Sequence, residues 1–205
     1  MVTYKGLPGP VIRDHLSREA SRPLYAGGTT FQIGRIEMVA NTGTYVDAPF
    51  HRWEDGADLA GLPLDALAGR DGVVVAAPHA RRLAVDSDLL ECIEVLGRAV
   101  LVHTGWASRW GTPSYFRRSS HLTAAAASLL VARGAAIVGI DSHNIDDTDD
   151  RMRPVHSILL RAGIPVVEHL CNLEALPPSG FRFYAVPVKV KGMGTFPVRA
   201  FAEID

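Results

Sequence analysis

From Asn41 to His51 the chain reads Asn-Thr-Gly-Thr-Tyr-Val-Asp-Ala-Pro-Phe-His. An amide, a phenol, a carboxylate and an imidazole fall within one short stretch, a mixture suited to metal ligation or to acid–base work. Gly43 between two threonines predicts a tight turn. Tyr45 and Asp47 then share one side of an extended segment, because strand side chains alternate. Pro49 has no N–H for a ladder and ends the segment. The same residues also fit a plain loop, in which Asp and Thr side chains satisfy backbone groups. The stretch by itself leaves both readings open.

Two more candidate ligands stand at predicted element ends. Pro154 suits the first turn of a helix running to about Arg161, which puts His156 near its N-terminus. Ile164 to Glu168 reads as a short strand ending in a carboxylate. Asp47 with His51, His156 and Glu168 would supply two oxygens and one or two imidazoles. That set suits zinc, manganese or ferrous iron better than calcium. Taken singly, His156 also reads as a helix cap and Glu168 as half of a salt bridge. The acidic run from Ser142 to Asp150 lacks the glycine and glutamate of a calcium loop, so Asp149 and Asp150 read as a solvated turn. No Gly-x-Ser-x-Gly elbow is present. His169 is expected to point away from Glu168 along the strand, and His15, His79 and His121 read as surface.

The elements that must position these groups follow from pattern. Residues 1–30, rich in Gly, Pro and Arg, read as an extended N-terminal arm. Phe31 to Val39 alternates and predicts a strand leading into the 41–51 stretch. Gly72 to Ala77, Ala99 to Thr104 and Ala135 to Asp141 are apolar runs of buried-strand length. Leu89, Leu90, Ile93 and Leu96 predict a helix over 86–96, ended by Gly97. Thr123 and Gly134 bracket a second, over 124–133. Phe181–Val190 and Pro197–Ile204 read as strands joined by a flexible connection, 191–195. The loop from Gly105 to Phe116 carries Trp106, Trp110 and Tyr115 directly after a strand end, where α/β sheets form pockets. With Trp53, these tryptophans are candidate substrate-binding residues, although a Trp more commonly caps a core. Helices alternating with buried strands predict one three-layer α/β domain with a mixed sheet.

Bulk composition narrows the function. The 205 residues are 47% hydrophobic, with 21 basic against 22 acidic side chains. No basic stretch argues for nucleic acid, and no apolar run reaches the roughly 18 residues of a membrane span. The N-terminal Met1 to Lys5 lacks the apolar core of a signal peptide. Cys92 and Cys171, far apart, read as reduced core residues in a cytoplasmic protein.

The stretch from Asn41 to His51 resembles, without gaps, the signature His-x-Gly-Thr-His-x-Asp-x-Pro-x-His of the cyclase family, which includes bacterial kynurenine formamidase. The resemblance continues through Val100 to Trp106, Val138 to Asp141, Pro154 to His156 and Val167 to Leu173. It implies a swivelling β/β/α domain over residues 1–205, a homodimer or homotetramer, and metal-dependent hydrolysis of a small amide, formamide or cyclic carbonyl compound. It also implies that Asp47, His156 and Glu168 hold a divalent ion, zinc or manganese, and that His51 is the general acid/base. Two signature histidines are replaced here by Asn41 and Tyr45. Asn41 offers the ion only a weak oxygen, and the Tyr45 phenol ligates well only when deprotonated. The chain is therefore read as a one-metal hydrolase in which Tyr45 hydrogen-bonds the substrate carbonyl or oxyanion. A metal-free cyclase, dehydratase or isomerase using Tyr45, Asp47 and His51 is the alternative, and a catalytically silent binding protein the third reading.

Overall fold

A computed structural model describes residues 6–204. The expectation about Met1 to Lys5 lies outside the described residues, as does part of the N-terminal arm. The fold is mixed α/β. Eight strands form one sheet that curls into a half-barrel. Four of them run parallel at its centre: β4 (Arg70–Ala76), β6 (Ala99–His103), β8 (Ile137–Ile140) and β9 (Val166–Glu168). Antiparallel strands flank them. On one side are β3 (Tyr45–Asp47) and β11 (Thr195–Pro197); on the other are β10 (Ser179–Tyr184) and β12 (Phe201–Ile204).

The central strands are apolar on both faces and so feed two cores. Val100 and Val102 of β6 point into a cluster with Leu130 of α2 (Ala124–Ala132) and Leu159 of α3 (Pro154–Arg161). Ala99 and Leu101 point the other way, into a cluster with Val46, Val167, Phe181 and Phe183. Both long helices pack on the first face. The second is covered by irregular segments carrying Leu59, Leu67 and Leu173. A short parallel pair, β5 (Ala84–Val85) and β7 (His121–Leu122), lies outside this sheet.

Several expectations are corrected. The arm is not simply extended. Val11–Leu16 (β1) pairs with Ile33–Glu37 (β2) in a separate two-stranded hairpin, with a four-residue helix α1 (Arg18–Ser21) capped by Ser17 between them. The strand expected to feed the 41–51 stretch therefore belongs to this hairpin. Residues 86–96 form a single 3-10 turn, Ser87–Leu89, rather than a helix. Leu90 is buried, but Leu96 is 72% exposed, so tertiary anchoring overrides a segment too short to hold a helix by itself. The connection at 191–195 is not free: Thr195 opens β11, and the Gly194 carbonyl accepts the Ala48 N–H at 2.7 Å. Cys92 and Cys171 are exposed, not core.

Gly72 sits directly opposite Phe181 in the β4–β10 ladder, and a Cβ there would lie 2.0 Å from the Phe181 ring. Gly72→Ala is expected to cost about 1–3 kcal/mol by overpacking. Urea denaturation checks this, and a Phe181→Leu background should shrink the penalty.

Candidate active site

Strand β3 divides its side chains between core and site. Val46 faces the apolar cluster, while Tyr45 and Asp47 face the helix side with α3. Asp47 is fully buried. Its Oδ1 accepts the Thr195 hydroxyl. Its Oδ2 has no hydrogen bond and lies 3.5 Å from His156 Nε2, which has none either.

His156 owes its orientation to Asp146, a buried residue of the loop after β8. The Asp146 carboxylate accepts the Val155 N–H at 2.7 Å and the His156 N–H at 3.0 Å, so it caps α3 in place of Arg153, whose side chain makes no cap bond. The same carboxylate accepts His156 Nδ1 at 2.7 Å, which leaves Nε2 facing Asp47 and, at 3.6 Å, Glu168 Oε1. Burial opposes the imidazolium, but the Asp146 hydrogen bond and the nearby Asp47 and Glu168 carboxylates push the His156 pKa up to about 10. Asp146 is held below the usual carboxylate range: burial works against ionisation, and the bond and charge of His156 outweigh it.

Glu168 ends β9 directly across from Tyr45. Its Oε2 accepts the Tyr45 hydroxyl at 2.5 Å and its Oε1 accepts the Ile145 N–H at 2.6 Å. Burial pushes its pKa up to about 7, with His156 pulling it down and Asp47 raising it. The Tyr45 proton is thus directed to Glu168 rather than into the cavity, which departs from the expected oxyanion contact.

His51 ends a 3-10 turn, Pro49–His51, whose backbone is clamped by β11. A Cβ on Gly194 would lie 2.4 Å from the His51 nitrogen. His51 Nδ1 is 2.7 Å from Thr195 Oγ1 and 3.6 Å from Asp47 Oδ1. Thr195 has one hydroxyl proton and gives it to Asp47, so towards His51 it accepts. His51 Nδ1 therefore carries the proton, and in the neutral ring Nε2 keeps its lone pair.

Asp47, His51 and His156 each bring a ligand atom within 4.8 Å of the others, the one such group of three among the described residues. The donor set fits a divalent cation. Two buried atoms, Asp47 Oδ2 and His156 Nε2, lack hydrogen bonds, and Nε2 would offer a lone pair once an ion displaced its proton. The oxygens and imidazoles suit zinc or manganese, and a carboxylate behind His156 fixes its ring. A cavity of ≈ 230 Å³ opens here, lined by Asn41, Tyr45, His51, Arg153, His156 and Glu168 among others. Half-buried Asn41 and buried Glu168 thus border the site but stand outside the group of three, in which His51, read from the sequence as the acid/base, takes the third place.

None of the three tryptophans lines this cavity. Trp53 packs against the core beside α3, with its Nε1 donating to the Ser157 carbonyl and the Arg52 guanidinium 4.4 Å from its ring. Trp106 is buried, its Nε1 donating to the Tyr115 carbonyl. Trp110 borders a neighbouring cavity of ≈ 410 Å³ together with Tyr115 and His169. His169 leaves the strand with φ 57°, so it does not alternate with Glu168 as a strand residue would. Its ring instead packs 5.2 Å from Tyr45. Sequence reasoning missed Asp146 and Thr195, which lie 10 and 144 positions from the histidines they orient and carry no local motif.

The profile of the Cyclase family matches residues 10–147. The chain belongs to the cyclase family. A kynurenine formamidase of Geobacillus thermodenitrificans (strain NG80-2) is 29% identical over 170 residues, covering 82% of this chain and 78% of the relative. Isatin hydrolase A from Labrenzia aggregata, solved with benzyl benzoate, superposes with a TM-score of 0.81 at 22% identity, over 98% of this chain and 85% of the other. A potential metal-dependent hydrolase with cyclase activity superposes with a TM-score of 0.75 at 24% identity, over 98% and 92%. The family match takes in Asp47 and His51. His156, Glu168 and Thr195 lie beyond its end, and the sheet brings them back to the cyclase signature.

Thr195→Val leaves buried Asp47 Oδ1 without its donor and is expected to cost about 1–3 kcal/mol in urea denaturation. Thr195→Ser keeps the hydroxyl and is expected to stay near wild type. ¹⁵N NMR of the His51 ring should show the Nδ1–H tautomer in wild type and the Ser variant, and its loss in the Val variant.

Proposed function

We propose that this cyclase-family protein hydrolyses the C–N bond of a small amide, formamide or cyclic carbonyl compound, using one divalent ion, zinc or manganese. Asp47, His156 and Glu168 would hold the ion, with Asn41 at the margin of the site. The observation that carries this reading is the pair of buried atoms without hydrogen bonds, Asp47 Oδ2 and His156 Nε2, aimed at one another 3.5 Å apart. The kynurenine formamidase and isatin hydrolase relatives support the reaction class.

When bound, such an ion supplies Lewis acidity towards a carbonyl. The chain's own groups supply the rest. His51 Nε2, the lone-pair nitrogen of the neutral tautomer that the Thr195 contact selects, takes a proton from water and returns it to the departing nitrogen. Its ring is half-exposed, so it reaches substrate. Tyr45 orients Glu168 rather than stabilising an oxyanion. Asp146 keeps the ligating nitrogen of His156 facing inward.

Metal analysis of protein purified without added ions tests the ligand set. Asp47→Asn is expected to lose both metal and turnover. His51→Gln is expected to keep its metal and lose turnover by about 10²–10⁴-fold, the usual contribution of a general acid/base. Full turnover without metal would instead favour the metal-free alternative, and loss of metal in His51→Gln would make His51 a ligand.

The protein is also proposed to be a homodimer or homotetramer. In the hairpin, Ile12 faces Ile36 across the ladder, and they are 68% and 62% exposed. An isolated two-stranded hairpin is marginal in water, so a second copy covering it is the simplest source of stability. Ile12→Glu combined with Ile36→Glu is expected to yield monomers in analytical ultracentrifugation. No helix among the described residues is long and apolar enough to cross a membrane. Two free, exposed thiols fit a reducing, cytoplasmic setting.

A further inference from the structure

A second concavity, of ≈ 610 Å³, opens where the chain leaves the carboxyl ends of β4 and β6. These are neighbouring parallel strands, and the crevice beyond their carboxyl ends is where α/β sheets hold ligands. The segment after β4 brings His79 and Leu83 to it, and the loop after β6 brings Trp106, Arg109, Arg117 and Arg118. It shares no lining residue with the Asp47–His156 cavity.

Its charge is one-sided. Three guanidiniums line it and no carboxylate does. Elsewhere arginines find acids, as Arg82 does with Asp88 at 2.9 Å and Arg161 with Asp55 at 2.8 Å. Among the described residues, Arg109, Arg117 and Arg118 form no such pair. In a chain of net charge −1 they have acids in plenty to choose from.

One wall is rigid. Asp141, buried, accepts Thr104 N–H at 2.8 Å, the Thr104 hydroxyl at 2.5 Å and Gly105 N–H at 2.7 Å. Thr104 in turn accepts Trp106 N–H at its hydroxyl, 3.1 Å, and His79 Nδ1 at its carbonyl, 2.9 Å. Trp106 is buried on this network, and the Arg109 guanidinium lies 4.3 Å from its ring centroid. The basin therefore offers three guanidiniums, that of Arg109 seated on Trp106, beside an apolar margin of Ala80, Leu83 and the little of Trp106 left exposed. Guanidinium forks match the oxygens of phosphate and carboxylate groups.

We propose that this basin binds a small organic anion, its phosphate or carboxylate group held by Arg109, Arg117 and Arg118 and its apolar body resting along Trp106 and Leu83. The site is independent of the proposed hydrolytic one, so either stands or falls without the other.

The test is calorimetric titration of the full-length protein, in low salt after chelator treatment, with phenyl phosphate, benzoate and inorganic phosphate. Chelation leaves the Asp47–His156 cavity no cation to draw the probes. Saturable binding of phenyl phosphate or benzoate is expected, tighter than inorganic phosphate, and the better of the two identifies the anionic group. Arg117→Gln with Arg118→Gln, both exposed, is expected to weaken binding at least about tenfold, as loss of charged hydrogen bonds does. Arg117→Lys with Arg118→Lys is expected to recover part of it. Absence of saturable binding by either organic probe overturns the proposal, as does unchanged affinity in the Gln variant. Inorganic phosphate binding as tightly as phenyl phosphate overturns the role of the apolar wall.

Discussion

Three buried carboxylates surround one imidazole, and the site is built around that imbalance. Asp47, Asp146 and Glu168 are almost wholly removed from water, and His156 is the basic side chain that contacts all three. Burying an ion costs several kcal/mol unless opposite charge and hydrogen bonds offset it. Each carboxylate has local relief: Asp47 takes the Thr195 hydroxyl, Asp146 the start of α3, Glu168 the Tyr45 phenol and an amide. What local bonds leave over is negative potential concentrated at Asp47 Oδ2 and His156 Nε2. A proton on His156 answers it, and the same two atoms are where a divalent cation would be held.

Tyr45 is one of two places, with Asn41, where this chain departs from the signature it resembles. In place of a histidine it puts a phenol directly across the ladder from Glu168. The phenol donates where an imidazole would have offered a lone pair, and its proton goes to Glu168 Oε2. Its ring in turn lies against His169, whose left-handed backbone swings it out of the strand. Burial keeps His169 neutral, pushing its pKa down to about 3. On this side of the site Tyr45 and His169 form an aromatic, uncharged wall.

Much of this was legible in the sequence because the signals are local. Asp47 and His51 are four residues apart, and the runs at 99–103 and 137–140 are apolar throughout, as strands buried on both faces must be. Pro154 marked a helix start by its backbone, and Thr123 by a side chain that caps the Ala126 N–H. What was illegible depends on distance. Nothing near Thr195 indicates that it will meet His51, because the β3–β11 ladder creates the contact. Asp146 sat in an acidic run in which Asp147 is half-buried and Asp149 and Asp150 are solvated. The spacing of Leu89 to Leu96 mimicked a helix because anchoring one turn to a core demands some of the same apolar positions. The tryptophans were legible as large apolar groups, but no sequence pattern tells a cavity wall from a core cap.

Strand β3 carries one further implication. Its three residues send Val46 into an apolar cluster and Tyr45 and Asp47 towards the cavity, while pairing on both edges. A slip by a single position would push a carboxylate into hydrocarbon and strip the cavity of its central oxygen at the same moment. Correct assembly and chemical competence are therefore enforced by one alignment. A well-packed but misthreaded impostor is closed to this chain.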